Sequence, residues 1–357
     1  MIKKLLVLLP LLIIVAILAC SDENNNNPIT PDDTPTSTWN NDGQYWQSVL
    51  DATSGADYAY FSFATQDTVT LTGDEAANSS NWDIAFKRDY VILNGGVSGA
   101  KGVEGVDLAE AGSPDSTDFA VVIDTSDITG SDWQADRYNL VVDDWYDYDP
   151  VSHTLDVNRN VYVLKDAAGN YVKFQVIGMA GGGMPPDMGS VTFRFVYAAD
   201  GSSDVSGAPD TVSIDVGSGT GYVDFSTGSE VTPADPMESL DWDIAFSSYE
   251  IHLNATVFGP GAARAYPMYG DLDDPADFDG VTQAPTQSQG YFADQFGSVL
   301  TNWYDYNPDT HQLSSYGHVY LIKSDDAVYK LQISSYYRNV GGSPVSAWYS
   351  FKWARLD

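Results

Sequence analysis

Residues 81–94 read NWDIAFKRDYVILN, and residues 241–254 read DWDIAFSSYEIHLN. One chain carries nearly the same fourteen residues twice, at an offset of 160 (241 minus 81). Within each stretch the apolar residues alternate. Trp82, Ile84 and Phe86 point one way, with Asp83 and Ala85 the other; Trp242, Ile244 and Phe246 repeat the pattern. A period of two marks a half-buried strand. Asn94-Gly95-Gly96 closes the first stretch with residues that tolerate positive φ, as a tight turn requires.

The duplication extends outward from this strand. WYDYDPVSHTL at 145–155 returns as WYDYNPDTHQL at 303–313. VYVLKDAAGNYVKFQV at 161–176 returns as VYLIKSDDAVYKLQI at 319–333, and TFRF at 192–195 as SFKW at 350–353. The order is kept and the offset stays between 157 and 160. Repeats of about 150 residues are whole domains rather than solenoid units. The expected domains are 43–205 and 206–357, joined by the Gly/Ser/Asp/Pro stretch at Asp200–Asp210. Asp149-Pro150 and Asn307-Pro308 start turns in which proline presets φ. One helix is expected over Gly43–Ala52, where Tyr45, Trp46, Val49 and Leu50 fall at helical spacing. Everything else reads as strand. The expected fold is all-β, with two antiparallel β-sheet domains in tandem.

Sixteen basic residues face fifty acidic ones among 357, for a formal charge of −34. Such a surface repels nucleic acid and anionic lipid. The 23 Tyr, 14 Phe and 9 Trp suit strands. The single cysteine, Cys20, excludes a disulfide framework. It follows a charged pair, Lys3 and Lys4, and an apolar run from Leu5 to Leu18. Ile17-Leu18-Ala19-Cys20 resembles the lipobox of bacterial lipoproteins, so residues 1–19 read as a signal peptide and Cys20 as the lipidation site. Residues 20–42 read as a flexible tether. The Asp22-Glu23 pair resembles the surface-export signal of Bacteroidetes lipoproteins. The expected location is the outer membrane, lipid-anchored and facing outward.

The ordered set WDIAF, an Asn turn, a variable Gly-rich loop, WYDY, VYVLK, GNYVKFQV and TFRFVY resembles the HmuY-like family. That resemblance implies a lipid-anchored all-β protein, shaped like a hand, that holds haem between loop fingers and passes it to an outer-membrane receptor. It also implies His or Met as axial ligands of the iron.

The chain has four histidines. His153 and His311 occupy equivalent places in the Pro-containing turns and fit a shared turn structure or a ligand role. His318 precedes the strand VYLIK, seven residues after His311, and the two form the preferred pair in the second copy. His252 aligns with Ile92 and reads as an ordinary exposed residue. Met179, Met184 and Met188 lie in GMAGGGMPPDMG, an irregular finger whose thioethers are alternative ligands or a hydrophobic cover. Met268 sits in GPGAARAYPMYG beside Arg264, the candidate partner for a haem propionate. The acidic run Asp271–Gly280 fails the EF-hand pattern because Pro275 takes the fifth position, and Ca²⁺ is not expected. No G-x-S-x-G, H-E-x-x-H or P-loop is present, so no enzyme is expected. Two functional readings stand: a haem- or porphyrin-binding surface lipoprotein, or a surface module that binds glycan or protein through its aromatics.

Overall fold

A computed structural model describes residues 36–126, 128–181, 188–217, 219–268 and 277–356. The first copy supplies β1 (Thr36–Asn40), β2 (Tyr45–Asp51), β3 (Ala59–Ser62), β4 (Asp67–Val69), α1 (Gly73–Asn78), β5 (Ile84–Lys87), β6 (Tyr90–Leu93) and β7 (Glu104–Asp107). It continues with β8 (Arg137–Asn139), β9 (Tyr146–Asp149), β10 (Thr154–Val157), β11 (Val161–Lys165), β12 (Tyr171–Gly181) and β13 (Met188–Ala198). The second copy supplies β14 (Asp210–Asp215), β15 (Gly221–Asp224), β16 (Ser229–Val231), β17 (Ile244–Ser247), β18 (Glu250–Leu253) and β19 (Arg264–Pro267). It ends with β20 (Gln295–Gly297), β21 (Tyr304–Asn307), β22 (Gln312–Ser315), β23 (Val319–Ser324), β24 (Ala327–Val340) and β25 (Ser343–Leu356). The protein is all-β, with antiparallel pairing in every sheet.

The opening stretches form β5–β6 and β17–β18, matching hairpins at one side of two four-stranded sheets, β4-β3-β5-β6 and β16-β15-β17-β18. Their shared Asp and Asn build the same lock in each. Asp83 Oδ2 accepts the Phe63 N–H at 2.7 Å, and Asp243 Oδ2 accepts that of Phe225 at 2.9 Å. Asn94 Nδ2 donates to Ser79 O and Trp82 O, both at 2.8 Å. Asn254 Nδ2 does the same to Ser239 O at 3.0 Å and Trp242 O at 2.7 Å. Gly99 and Gly259 lie against these amides, where a Cβ would stand 2.1 Å from each Asn Oδ1.

The larger sheets do not group by copy. One has the order β1-β2-β25-β24-β23-β7, so strands from the start of the first copy flank the end of the second. Another runs β14-β13-β12-β11-β19 and mixes the copies the opposite way. The two main cores follow the sheets. Leu50, Phe61, Ile84 and Phe86 pack with Trp303, Tyr320, Phe351 and Trp353. Trp145, Tyr162, Phe174 and Phe193 pack with Phe225, Ile244, Phe246 and Leu253. The expected boundary at 205/206 therefore cuts between sequence copies and not between cores. Each core unites the first half of one copy with the second half of the other.

Strand-for-strand correspondence of the copies is what allows this exchange. β7 and β19 occupy equivalent places, as do β11 and β23. Either edge can receive either partner with the same hydrogen bonds and the same alternation. Trp145 Nε1 donates to Tyr249 O at 3.0 Å, and its counterpart Trp303 Nε1 to Asp89 O at 2.9 Å. The connections cross at β8 and β20, which pair with each other as Arg137↔Gly297, Tyr138↔Phe296 and Asn139↔Gln295. Each strand meets its own repeat in reciprocal register, as an internal two-fold demands.

Three local expectations are corrected. Gly43–Ala52 is not helical; its core is β2, with Ser48, Leu50 and Ala52 buried on one face and Trp46 stacked on Trp353 at 5.9 Å. Pairing along β25 outweighs local spacing there. The described helix is instead α1, capped by a box between Thr72 and Glu75. The stretch 200–210 is packed rather than loose, since Val205 is fully buried and its N–H donates to Thr282 O at 3.1 Å. The expected tether also ends early, because residues 36–40 are already in β1.

Candidate functional site

Two pairs of hairpins stand at matching places in the fold. In the first pair, β9–β10 packs beside β12–β13, with Tyr146, Val157 and Met179 leaning on the same core. In the second, β21–β22 packs beside β24–β25, and the Leu313 N–H donates to the Tyr337 hydroxyl at 2.8 Å.

His153 and His311 sit at the tips of β9–β10 and β21–β22, each exposed and each at φ 56°. Their N–H groups donate to Asp149 O and Asn307 O at 2.8 Å, closing the turns. The Asp149 and Asn307 side chains accept further N–H groups within the same turns. A left-handed residue is required there, and histidine is among the types that tolerate it. Each Nδ1 meets a tyrosine hydroxyl, His153 with Tyr148 at 2.6 Å and His311 with Tyr306 at 2.5 Å.

His318 is placed differently. Its Nδ1 lies 3.0 Å from Asp107 Oδ2, a carboxylate buried on β7 of the other copy. Its ring stacks on Tyr316 at 5.3 Å. A carboxylate on one imidazole nitrogen fixes the ring and directs the other nitrogen outward, the arrangement common to metal-bound histidines. His311 and His318 do not form a pair. They stand at opposite ends of β21–β22, whose three steps from Asn307↔Gln312 to Tyr304↔Ser315 span about 10 Å.

His252 is not exposed. It is 9% accessible, stacked on Phe258 at 3.7 Å, with Nε2 2.8 Å from Glu250 Oε2. Burial pulls its pKa down, against the opposing pull of Glu250. The expected outer face of β17–β18 is roofed by the crossing strands: Tyr138 lies 5.9 Å from His252, and Phe296 packs over the equivalent Ile92.

Of the methionines, Met179 is half-buried against the core and Met268 against Phe278 and Tyr291. Met184, the side chain of Met188, Cys20 and the acidic residues 271–276 lie outside the described residues. Among the described residues no group of three or more His, Cys, Asp or Glu is disposed to hold a metal ion.

Arg264 opens β19 at the seam between copies. It separates two clefts. One, of about 340 Å³, is lined by Tyr90, Asn139, Phe292, Gln295 and Phe296. The other, of about 520 Å³, is lined by Lys165, Ala262, Ser288 and Tyr291. Burial and Asp89 push the Tyr90 phenol up, while Arg264 pulls it down. The clefts exist because the copies are interleaved. Residue order alone gave no sign of that, although the repetition of the strand motifs was the available signal.

The sequence profile of the HmuY protein family matches residues 54–195 and again 219–353. The chain belongs to the HmuY family. Members of this family are haem-binding proteins, generally non-enzymatic and surface-associated. No curated protein matches the chain. Among solved structures, a Bacteroides fragilis chain assigned as a lipoprotein is similar at 13% identity and a TM-score of 0.35, over 91% of this chain and 97% of that one. The apo HmuY analogue of Tannerella forsythia is similar at 12% identity and 0.33, over 88% and 96%. A Bacteroides vulgatus chain assigned as HmuY-like and heme-binding is similar at 16% identity and 0.15, over 50% and 96%.

Proposed function

We propose that this HmuY-family protein binds haem or a related porphyrin at the cell surface without catalysing a reaction. It would be anchored through Cys20 and would deliver its ligand to an outer-membrane receptor. The observation that carries the reading is the double family match, one for each copy.

Side chains suited to an axial role support it. His153 stands at the tip of β9–β10, beside the methionine-bearing finger β12–β13. Its Nδ1 is held by Tyr148, which leaves Nε2 for a ligand. His318 is oriented by Asp107 in the same sense. Haem would supply an iron that accepts these nitrogens or a thioether. The protein's part is to hold the donors and to offer aromatic surface for the ring.

Titration of the purified protein with haemin tests the reading. A Soret shift is expected, reduced at least tenfold in affinity by His153→Ala, Met184→Ala or His318→Ala. Absence of a Soret change in both the ferric and ferrous states would refute haem binding.

A further inference from the structure

Lys165 and Arg264 are direct cross-strand neighbours on β11 and β19. Like charges placed opposite one another weaken a sheet. The chain has only 16 basic residues against 50 acidic ones, yet two of them meet here. Among the described residues neither has a carboxylate within ion-pair range. The equivalent rung in the other large sheet is Lys323 opposite Glu104, with Nζ and Oε2 2.9 Å apart. That rung is neutralised, and this one is not.

Exchange of halves does not account for the difference. The equivalent positions hold Glu104 and Arg264 on one strand and Lys165 and Lys323 on the other. Arg264 therefore opposes a lysine whichever copy supplies the partner. The repulsion belongs to the sequence; no carboxylate among the described residues offsets it, so a bound group can.

The surroundings indicate which. Lys165 Nζ rests 5.0 Å from the Tyr171 ring and 4.9 Å from the Tyr291 ring, so its head is held in place by aromatics. Asp166 also lines the larger cleft, but its oxygens are taken by Asn170 and Tyr197. On the far side of Arg264, Phe292 leaves 58% of its surface in solvent. A guanidinium and an ammonium side by side match a carboxylate, and the flanking rings match a flat or ring-shaped body attached to it.

We propose that Lys165 and Arg264 form a binding site at the seam between the copies for a carboxylate carried on a ring. The chemistry is shared by a porphyrin propionate and by an acidic sugar. The site does not depend on ligation of iron by the fingers.

Calorimetric titration of the whole protein with D-glucuronate, and separately with metal-free protoporphyrin IX, tests the proposal and separates the two sources. At least one probe is expected to bind saturably and to weaken as salt rises. Lys165→Gln and Arg264→Gln should each raise its Kd at least tenfold, and Lys323→Gln should leave it unchanged. The double variant Lys165→Gln/Arg264→Gln should melt no lower than the parent, because the change removes repulsion. The proposal is overturned if neither probe binds, if the double variant binds as tightly as the parent, or if Lys323→Gln weakens binding as much as Lys165→Gln. A haemin titration that shows no Soret shift would sink the iron-binding reading alone, while the metal-free probes would still report on this site.

Discussion

Exchange of halves between the copies makes a sharp prediction about which strands touch. Glu104 and Lys323 are partners across β7 and β23, with 219 positions between them in the sequence. If each copy closed on itself, Glu104 would face Lys165 instead. With Cys20→Ser as background, the chain has no other cysteine, so introduced pairs report cleanly. Facing residues in an antiparallel pair have Cα atoms about 4.5 or 5.5 Å apart, within the range a disulfide spans. Glu104→Cys/Lys323→Cys should therefore oxidise to a monomer of altered mobility on a non-reducing gel, with both cysteine peptides joined in a digest. Closing a loop that long restricts the unfolded chain by roughly 5 kcal/mol. The denaturation midpoint should rise on oxidation and fall back on reduction. Lys165→Cys/Arg264→Cys should behave alike. Glu104→Cys/Lys165→Cys should stay reduced within the monomer. If that third pair closes while the first remains open, the copies fold side by side and the interleaved architecture is wrong.

Two further predictions concern stability. Burial pushes the carboxyls of Asp136 up to about 7, and those of Asp243 and Asp294 up to about 6, from an ordinary value of 3.8. A raised folded-state pKa favours the neutral form in the native protein, so native stability falls as pH rises from about 4 to 7. The melting temperature should therefore be higher at pH 5 than at pH 7.5, and Asp136→Asn should flatten the slope; a profile that rises over this window would contradict the assignment. Asn94→Ala leaves Ser79 O, Trp82 O and the Lys101 N–H without their side-chain partner at a fully buried site. It should cost about 3 kcal/mol in urea unfolding, with a similar loss for Asn254→Ala; an effect below about 0.5 kcal/mol would deny the lock its role.

The strands were legible because their cause is local. Ile84 and Phe86 share one core, as alternation implies. That reading places Trp82 on the wrong face: it precedes β5 and packs with Ala85 and Ile92 on the opposite side, which is buried as well. The turn histidines were legible for the same reason: a residue three positions after Asp-Pro or Asn-Pro is bound to sit near the end of that turn. The helix assigned to Gly43–Ala52 failed because its four large apolar residues answer to β25, some three hundred positions away. The same kind of distant cause hid the exchange. A duplicated sequence specifies every contact twice, so the pattern that reveals the strands cannot say which copy of a partner each one takes. His252 shows the consequence. Read within its own strand, it belongs on an outer face with Glu250. That face is covered by Phe258 from the following loop and by Tyr138, which β8 brings from the other copy. Arg264 is the complementary case. Its residue type and loop were visible in the sequence, but its lysine neighbour is named only by the sheet. Several of the residues proposed as sites fall where repetition is broken, whereas His153 lies in a turn that both copies share. Lys–Glu has become Lys–Arg at one rung, Asn160 has become His318 beside Asp107, and one finger carries methionines where the other carries Arg338 over Trp348. The shared residues hold two equal frames, and the differences between the frames are what a ligand can distinguish.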